Sequence, residues 1–112
     1  TLGNKQNKKL EIVSVMKYTL EIKEEAVHDM QEAYDYYEER KPGLGERFLD
    51  TLETYIERVQ KHPLHYQIRR KPYREALIKD FPYLIIYEIE ENNIIVYAIF
   101  STWKNPNKKP KK

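Results

Sequence analysis

The apolar positions of this chain change period along its length, from two to about 3.6 and back to two. Lys17 to Lys23 (KYTLEIK) alternates, with Tyr18, Leu20 and Ile22 on one side and Thr19, Glu21 and Lys23 on the other, which predicts a half-buried strand. In the following segment, EEAVHDMQEAYDYYEER, the residues Ala26, Val27, Met30, Ala33, Tyr34 and Tyr37 fall on one helical stripe. Glu24 and Glu25 open that helix and Arg40 and Lys41 close it, as the helix dipole favours. Lys41-Pro42-Gly43 stops it. A second helix is predicted from about Gly45 to His62, carrying Leu44, Phe48, Leu49, Leu52, Tyr55, Ile56 and Val59 at helical spacing and ending at His62-Pro63. At about 17 residues and about 25 Å each, the two make a hairpin long enough to cover one face of a small sheet.

The sheet is predicted from Tyr73 to Pro106. Tyr83 to Ile89 and Ile94 to Phe100 are apolar or aromatic on both parities and rich in β-branched residues, the pattern of central strands buried on both faces. Glu91-Asn92-Asn93 joins them as a tight hairpin, with the asparagines able to take a left-handed backbone. Leu64 to Lys71 is basic and reads as an extended link with a short strand before the meander begins at Tyr73. The fold class is therefore α+β: an N-terminal strand, a two-helix hairpin, then an antiparallel β-meander, with both helices on one face and the opposite face left open to a partner.

At 112 residues the chain has the length of one domain. Met16 stands directly before the first strand, so residues 1–15 are expected to be a non-native or disordered extension, with translation starting at Met16. Residues 16–106 form the domain, and 107–112 a disordered basic tail. The net charge of +2 conceals a strong asymmetry. Glu21 to Glu57 holds twelve acids and four bases, Lys61 to Asp80 six bases and two acids, and Lys104 to Lys112 five lysines and no acid. A basic half suits phosphate or an acidic protein. With no cysteine there are no disulfides or thiolate metal sites, no apolar run reaches membrane-spanning length, and the N-terminus lacks a signal-peptide pattern, so a cytoplasmic location is expected.

Most catalytic chemistries lack their residues. His28, His62 and His65 have no metal-ligand spacing, so no metal or other cofactor is expected. The pairs Glu24/Glu25 and Glu38/Glu39 are adjacent and cannot converge on one cleft. Gly43-Leu44-Gly45 lies between helices rather than after a strand, and no G-x-S-x-G is present. What remains is basic and aromatic: Arg69, Arg70, Lys71, Tyr73, Arg74 and Lys79, then Tyr83, Tyr87 and Tyr97, then Trp103 and Lys104. Arginines beside aromatic rings can hold phosphates and stack bases, although a strand tyrosine packs a sheet just as well. Arg74 stands out, since its strand carries it beside Leu77, read as core, and the Phe81-Pro82-Tyr83 turn.

A strand, a helical hairpin with P-G-L-G-E-R-F from Pro42 to Phe48, a His-Pro stop, an Arg ahead of F-P-Y (Phe81 to Tyr83), Tyr87 and a closing N-P together resemble the RelE/ParE toxins of bacterial type II toxin-antitoxin systems. The resemblance spans about Met16 to Pro106. It implies a cognate antitoxin that neutralises the toxin and permits a homodimer or a toxin-antitoxin heterotetramer. It also implies one of two targets. ParE-like members inhibit DNA gyrase without known nuclease activity, whereas RelE-like members cleave messenger RNA on the ribosome. For cleavage, Arg74 and Lys104 would supply charge to the phosphate and Lys71 or Tyr87 would move the proton. Ser101 and Lys104 stand where many relatives carry His and Arg, which weakens that chemistry, because serine is no proton shuttle near neutral pH and lysine does not replace a bidentate arginine. For target or antitoxin binding the resemblance and the charge map together nominate Arg69, Arg70, Arg74, Tyr83, Trp103 and Lys104. Three functions follow in order: a toxin leaning to gyrase inhibition, a ribosome-dependent endoribonuclease, and a non-toxic module that still binds an antitoxin.

Overall fold

The structure, a computed structural model, describes residues 17–103. The expected N-terminal extension with its start at Met16, the basic tail, and the site candidate Lys104 lie outside the described residues. Strand β1 (Thr19–Ile22) leads into helix α1 (Glu24–Arg40) and helix α2 (Leu44–Lys61). A short 3-10 turn (Pro63–His65) then precedes β2 (Ile68–Arg70), β3 (Tyr73–Leu77), β4 (Tyr83–Glu90) and β5 (Asn93–Ser101). The strands form one sheet in the order β1-β5-β4-β3-β2.

The meander from β2 to β5 is antiparallel, but β1 runs parallel to β5, with Leu20 opposite Ile94 and Ile22 opposite Val96. The sheet is therefore mixed. Asn93 helps hold that pairing: its amide donates to Glu21 (3.2 Å) and accepts from the Thr19 hydroxyl (2.8 Å). The β4–β5 hairpin closes on Glu91 and Asn92, because pairing runs out at Glu90 opposite Asn93. The left-handed residue is Glu91 (φ 56°) and neither asparagine, since its place is set by where the ladder ends rather than by side-chain preference.

Both helices lie on one face, over a core of Ala26, Ala33, Phe48, Leu52, Val59, Ile85 and Tyr87. The stripe of α2 faces the core as its spacing predicts, with Phe48, Leu52 and Val59 buried and Leu44, Leu49, Tyr55 and Ile56 half-buried against them. On α1 the buried positions are Ala26, Ala33 and Tyr37, and Val27 is 52% exposed. Val27 lies about 100° round the helix from Ala26, beyond the edge of the stripe that meets the sheet. A bulge in β5 is invisible to an apolar pattern of mixed parity: Ile86 pairs with Ala98 but Tyr87 with Val96, leaving Tyr97 as the extra residue. Val96 and Ile99 both reach the helix-side core as a result. The Asp29 carboxylate of α1 accepts the Ile99 backbone N–H at 3.0 Å just past this bulge.

The second face of the sheet is not open. Tyr73, Ile86, Ala98 and Phe100 form a buried cluster there, with Leu84 and Tyr97 packed against it. Leu77, expected in the core, belongs to this face and is 62% exposed at its rim, because Arg74 and Ala76 take the helix side through their partners Tyr87 and Ile85.

The turn between the helices depends on two glycines. Gly43 adopts φ 89°, a left-handed conformation that suits glycine. Glu38 accepts the N–H groups of Gly43 (2.8 Å) and Gly45 (2.9 Å), serving donors that the first turn of α2 leaves without helical partners. A Cβ at Gly45 would lie 2.8 Å from the Tyr34 carbonyl oxygen and from Glu38 Oε1. A backbone oxygen cannot move aside cheaply, so Gly45→Ala is expected to lower stability by about 1–3 kcal/mol in thermal denaturation. An unchanged or raised melting temperature would contradict this close approach.

Candidate functional site

The structure separates the basic and aromatic residues singled out from sequence. Arg74 and Tyr87 are cross-strand partners on the helix side of β3 and β4. The Arg74 guanidinium, half-buried, donates to the Tyr66 carbonyl at 2.5 Å. The Tyr87 ring is fully buried, and its hydroxyl donates to the Pro63 carbonyl at 2.5 Å. Together they tie the segment that leaves α2 to the sheet. Burial pushes the Tyr87 hydroxyl far above the ordinary tyrosine value, with the nearby Arg74 charge opposing it and Tyr66 adding to it.

Arg69 and Lys71 are exposed and Arg70 is half-buried on the edge strand β2 and its turn, where Lys71-Pro72 is a cis peptide. They are close to Arg74 through the β2–β3 ladder, in which Ile68 pairs with Arg74 and Arg70 with Tyr73.

Tyr83 and Trp103 lie elsewhere. They line a cleft of about 480 Å³ beside α1, in company with Asp29, Glu32, Asp35 and Glu39. Trp103 is 76% exposed, whereas Tyr83 packs into a cluster of rings with Tyr37 and Phe48, at 6.2 and 5.1 Å between centroids. This surface is acidic, so the basic-aromatic set is not one continuous patch. Ser101, also in this lining, is buried.

A second cleft, of about 680 Å³, was not foreseen. It lies where α2 ends, between Lys17 and Tyr18 on one side and His62 to Tyr66 on the other. Arg58 and Lys61 from the last turn of α2 complete it. The Gln60 amide holds the two walls together by donating to the Tyr18 carbonyl at 2.9 Å. Arg58 and Lys61, three apart at the end of a helix and followed by H-P-L-H, are the sequence signal that would have found it. Lys17 joins them only through the fold.

Burial also raises the hydroxyls of Tyr83 and Tyr97 to about 12 from an ordinary 10.0; Tyr37 adds to the first, and a 2.9 Å bond to Glu88 to the second. A tyrosine raised in this way stays neutral in the fold while the unfolded chain already ionises. Its stabilisation is complete below about pH 10 and falls as pH rises through 12. Melting temperature should accordingly drop across that window, and a flat profile through pH 12 would contradict the burial of these rings.

No group of three or more metal-ligating side chains occurs among the described residues, and none of their helices is long and apolar enough to cross a membrane. A helical hairpin laid on one face of a five-stranded mixed sheet, with β1 as an edge strand and cationic residues gathered where α2 runs into β2 and β3, defines a small α+β fold. The family model described as the ParE toxin of the type II toxin-antitoxin system, parDE, matches residues 20–106, and the chain belongs to that family. Among solved structures it is similar to a chain of the chromosomal ParDE TA system from P. aeruginosa. The TM-score is 0.68 at 14% identity, over 77% of this chain and 97% of that one, a likeness that shows the fold alone. No curated protein matches the chain.

Proposed function

We propose that this chain arrests bacterial growth as a toxin that grips its target without turning over a substrate, acting in the cytoplasm on DNA gyrase and neutralised by a cognate antitoxin. The observation that carries the non-catalytic reading is the state of Tyr87. Messenger cleavage needs a group that takes a proton from the attacking ribose hydroxyl and another that returns one to the leaving oxygen. The Tyr87 hydroxyl is buried, donates its proton to the Pro63 carbonyl, and is held far from a neutral-pH pKa by its surroundings. Lys71 is an exposed cation on a turn, and the Arg74 guanidinium is engaged by the Tyr66 carbonyl. These residues supply positive charge and anchoring, which suits binding better than proton transfer.

Tyr87→Phe separates the two chemistries. It removes the hydroxyl and leaves the Pro63 carbonyl without its partner, at an expected cost of about 1–3 kcal/mol. A gripping toxin keeps its growth inhibition in this variant when folded protein levels are matched. Abolished inhibition in a folded Tyr87→Phe variant would overturn the non-catalytic reading. Binding contacts are proposed at Arg69, Arg70 and Arg74, where reversal of charge should weaken association with target or antitoxin.

A further inference from the structure

The cleft at the end of α2 carries Lys17, Arg58, Lys61, His62 and His65, and no carboxylate lines it. Neither Lys17, Arg58 nor Lys61 is ion-paired among the described residues. Arg58 is held with its guanidinium over the Tyr55 ring, 4.7 Å from the centroid. The α2 C-terminus contributes about half a negative charge, which the three cations outweigh. Leu64, 66% exposed on the same wall, offers an aliphatic seat beside these charges.

The rings of the cleft decide which kind of anion fits. Nucleic acid held through its bases needs exposed aromatic faces for stacking. Tyr18 and Tyr66 are instead packed against the core, and Tyr66 meets His65 and Tyr87 edge-on, at 5.1 and 6.5 Å between ring centroids. The exposed rings of the lining are the imidazoles of His62 and His65, the latter edge-on to Tyr66. Three cations beside an exposed aliphatic side chain, with no exposed tyrosine or tryptophan face, match carboxylates interspersed with aliphatic residues. We propose that this cleft is the docking seat for an acidic, leucine-bearing segment of a partner protein, its carboxylates meeting Lys17, Arg58 and Lys61 and its apolar side chain lying on Leu64. Naming that partner as the antitoxin rests on the toxin reading; the acidic chemistry of the occupant does not.

The test is direct binding by the full chain, and it reads no toxicity, so its failure is distinct from failure of the toxin reading. A short fluorescein-labelled peptide of alternating Glu and Leu is titrated against the wild type. The same titration is made on the double reversal Arg58→Glu/Lys61→Glu and on a control reversal at two exposed positions outside the cleft, Lys41→Glu/Lys79→Glu. The five lysines that follow Trp103 are present in every variant and cannot produce a difference between them. The cleft reversal is expected to weaken binding about tenfold and the control less than about twofold, with the wild-type affinity falling as salt rises. If the cleft reversal does not fold, Arg58→Gln/Lys61→Gln should still weaken binding about threefold. Equal effects from cleft and control variants would overturn the proposal. So would tighter binding of a single-stranded RNA of equal charge that displaces the peptide and shows the same dependence on Arg58 and Lys61, since the cleft would then be a nucleic-acid site.

Discussion

Phe48→Ala is expected to cost about 3–5 kcal/mol of stability, enough to leave much of the chain unfolded at growth temperature if the total lies near the lower end of about 5–15 kcal/mol. Phe48 is fully buried on the sheet side of α2 and is ringed by aromatic partners: Tyr37 of α1 at 5.4 Å, Phe81 at 5.2 Å and Tyr83 of β4 at 5.1 Å between centroids. One ring therefore joins both helices to the turn that begins β4. Truncation removes its burial and opens a cavity that those rigid neighbours cannot close, and it also removes the edge-on contact with Phe81. Urea denaturation should show an earlier midpoint with an unchanged slope. A loss below about 1 kcal/mol would mean that the hairpin does not pack on the sheet in this way.

Arg74→Ala is expected to abolish growth inhibition altogether, while the chain still unfolds cooperatively with a loss of about 1–3 kcal/mol. That loss arises because the guanidinium serves the Tyr66 carbonyl from a half-buried position, leaving an acceptor without its charged donor. Loss of function should exceed what the stability change explains, since Arg74 pairs with Ile68 of the β2 edge on one side and with Tyr87 on the other and so carries its charge between them. Tyr87→Phe provides the comparison: similar destabilisation from the same structural frame, with inhibition retained. Equal inhibition by Arg74→Ala and wild type at matched levels would remove Arg74 from the site.

The elements were readable because burial constrains each of their positions. The alternation through Tyr18, Leu20 and Ile22 and the spacing of Phe48, Leu52 and Val59 leave little choice of period, and Pro42-Gly43 and His62-Pro63 mark where each helix stops. Pairing was harder to read. Nothing local in β1 says that it will lie parallel to β5, since its neighbour is more than seventy residues away and the contact depends on how the hairpin folds back. The bulge at Tyr97 leaves no trace in a strand that is apolar on both parities.

Charge runs along the sequence also misled about the surface. Tyr83 and Trp103 read from the sequence as aromatic companions of the arginines near the sheet, yet the fold sets them against the acids of α1. Conversely, Lys17 and Arg58 lie far apart in sequence and line one cleft, because β1 enters the sheet beside the end of α2. Arg74 and Tyr87 stand out in the sequence as a cation and a ring of the basic and aromatic set, and the resemblance adds a role for each. The structure adds that one is bonded to Tyr66 and the other to Pro63, contacts that span eight and twenty-four residues and that no periodicity reports.

The central claim, inhibition without catalysis, is tested most directly by inducing the chain in bacteria without antitoxin and following messenger integrity, bulk translation and the DNA-damage response together. An early damage response is expected, with translation and messages intact at first, and the same course for the Tyr87→Phe variant. Early cutting of messages and loss of translation, both abolished in folded Tyr87→Phe, would contradict it and make the chain a ribosome-dependent nuclease.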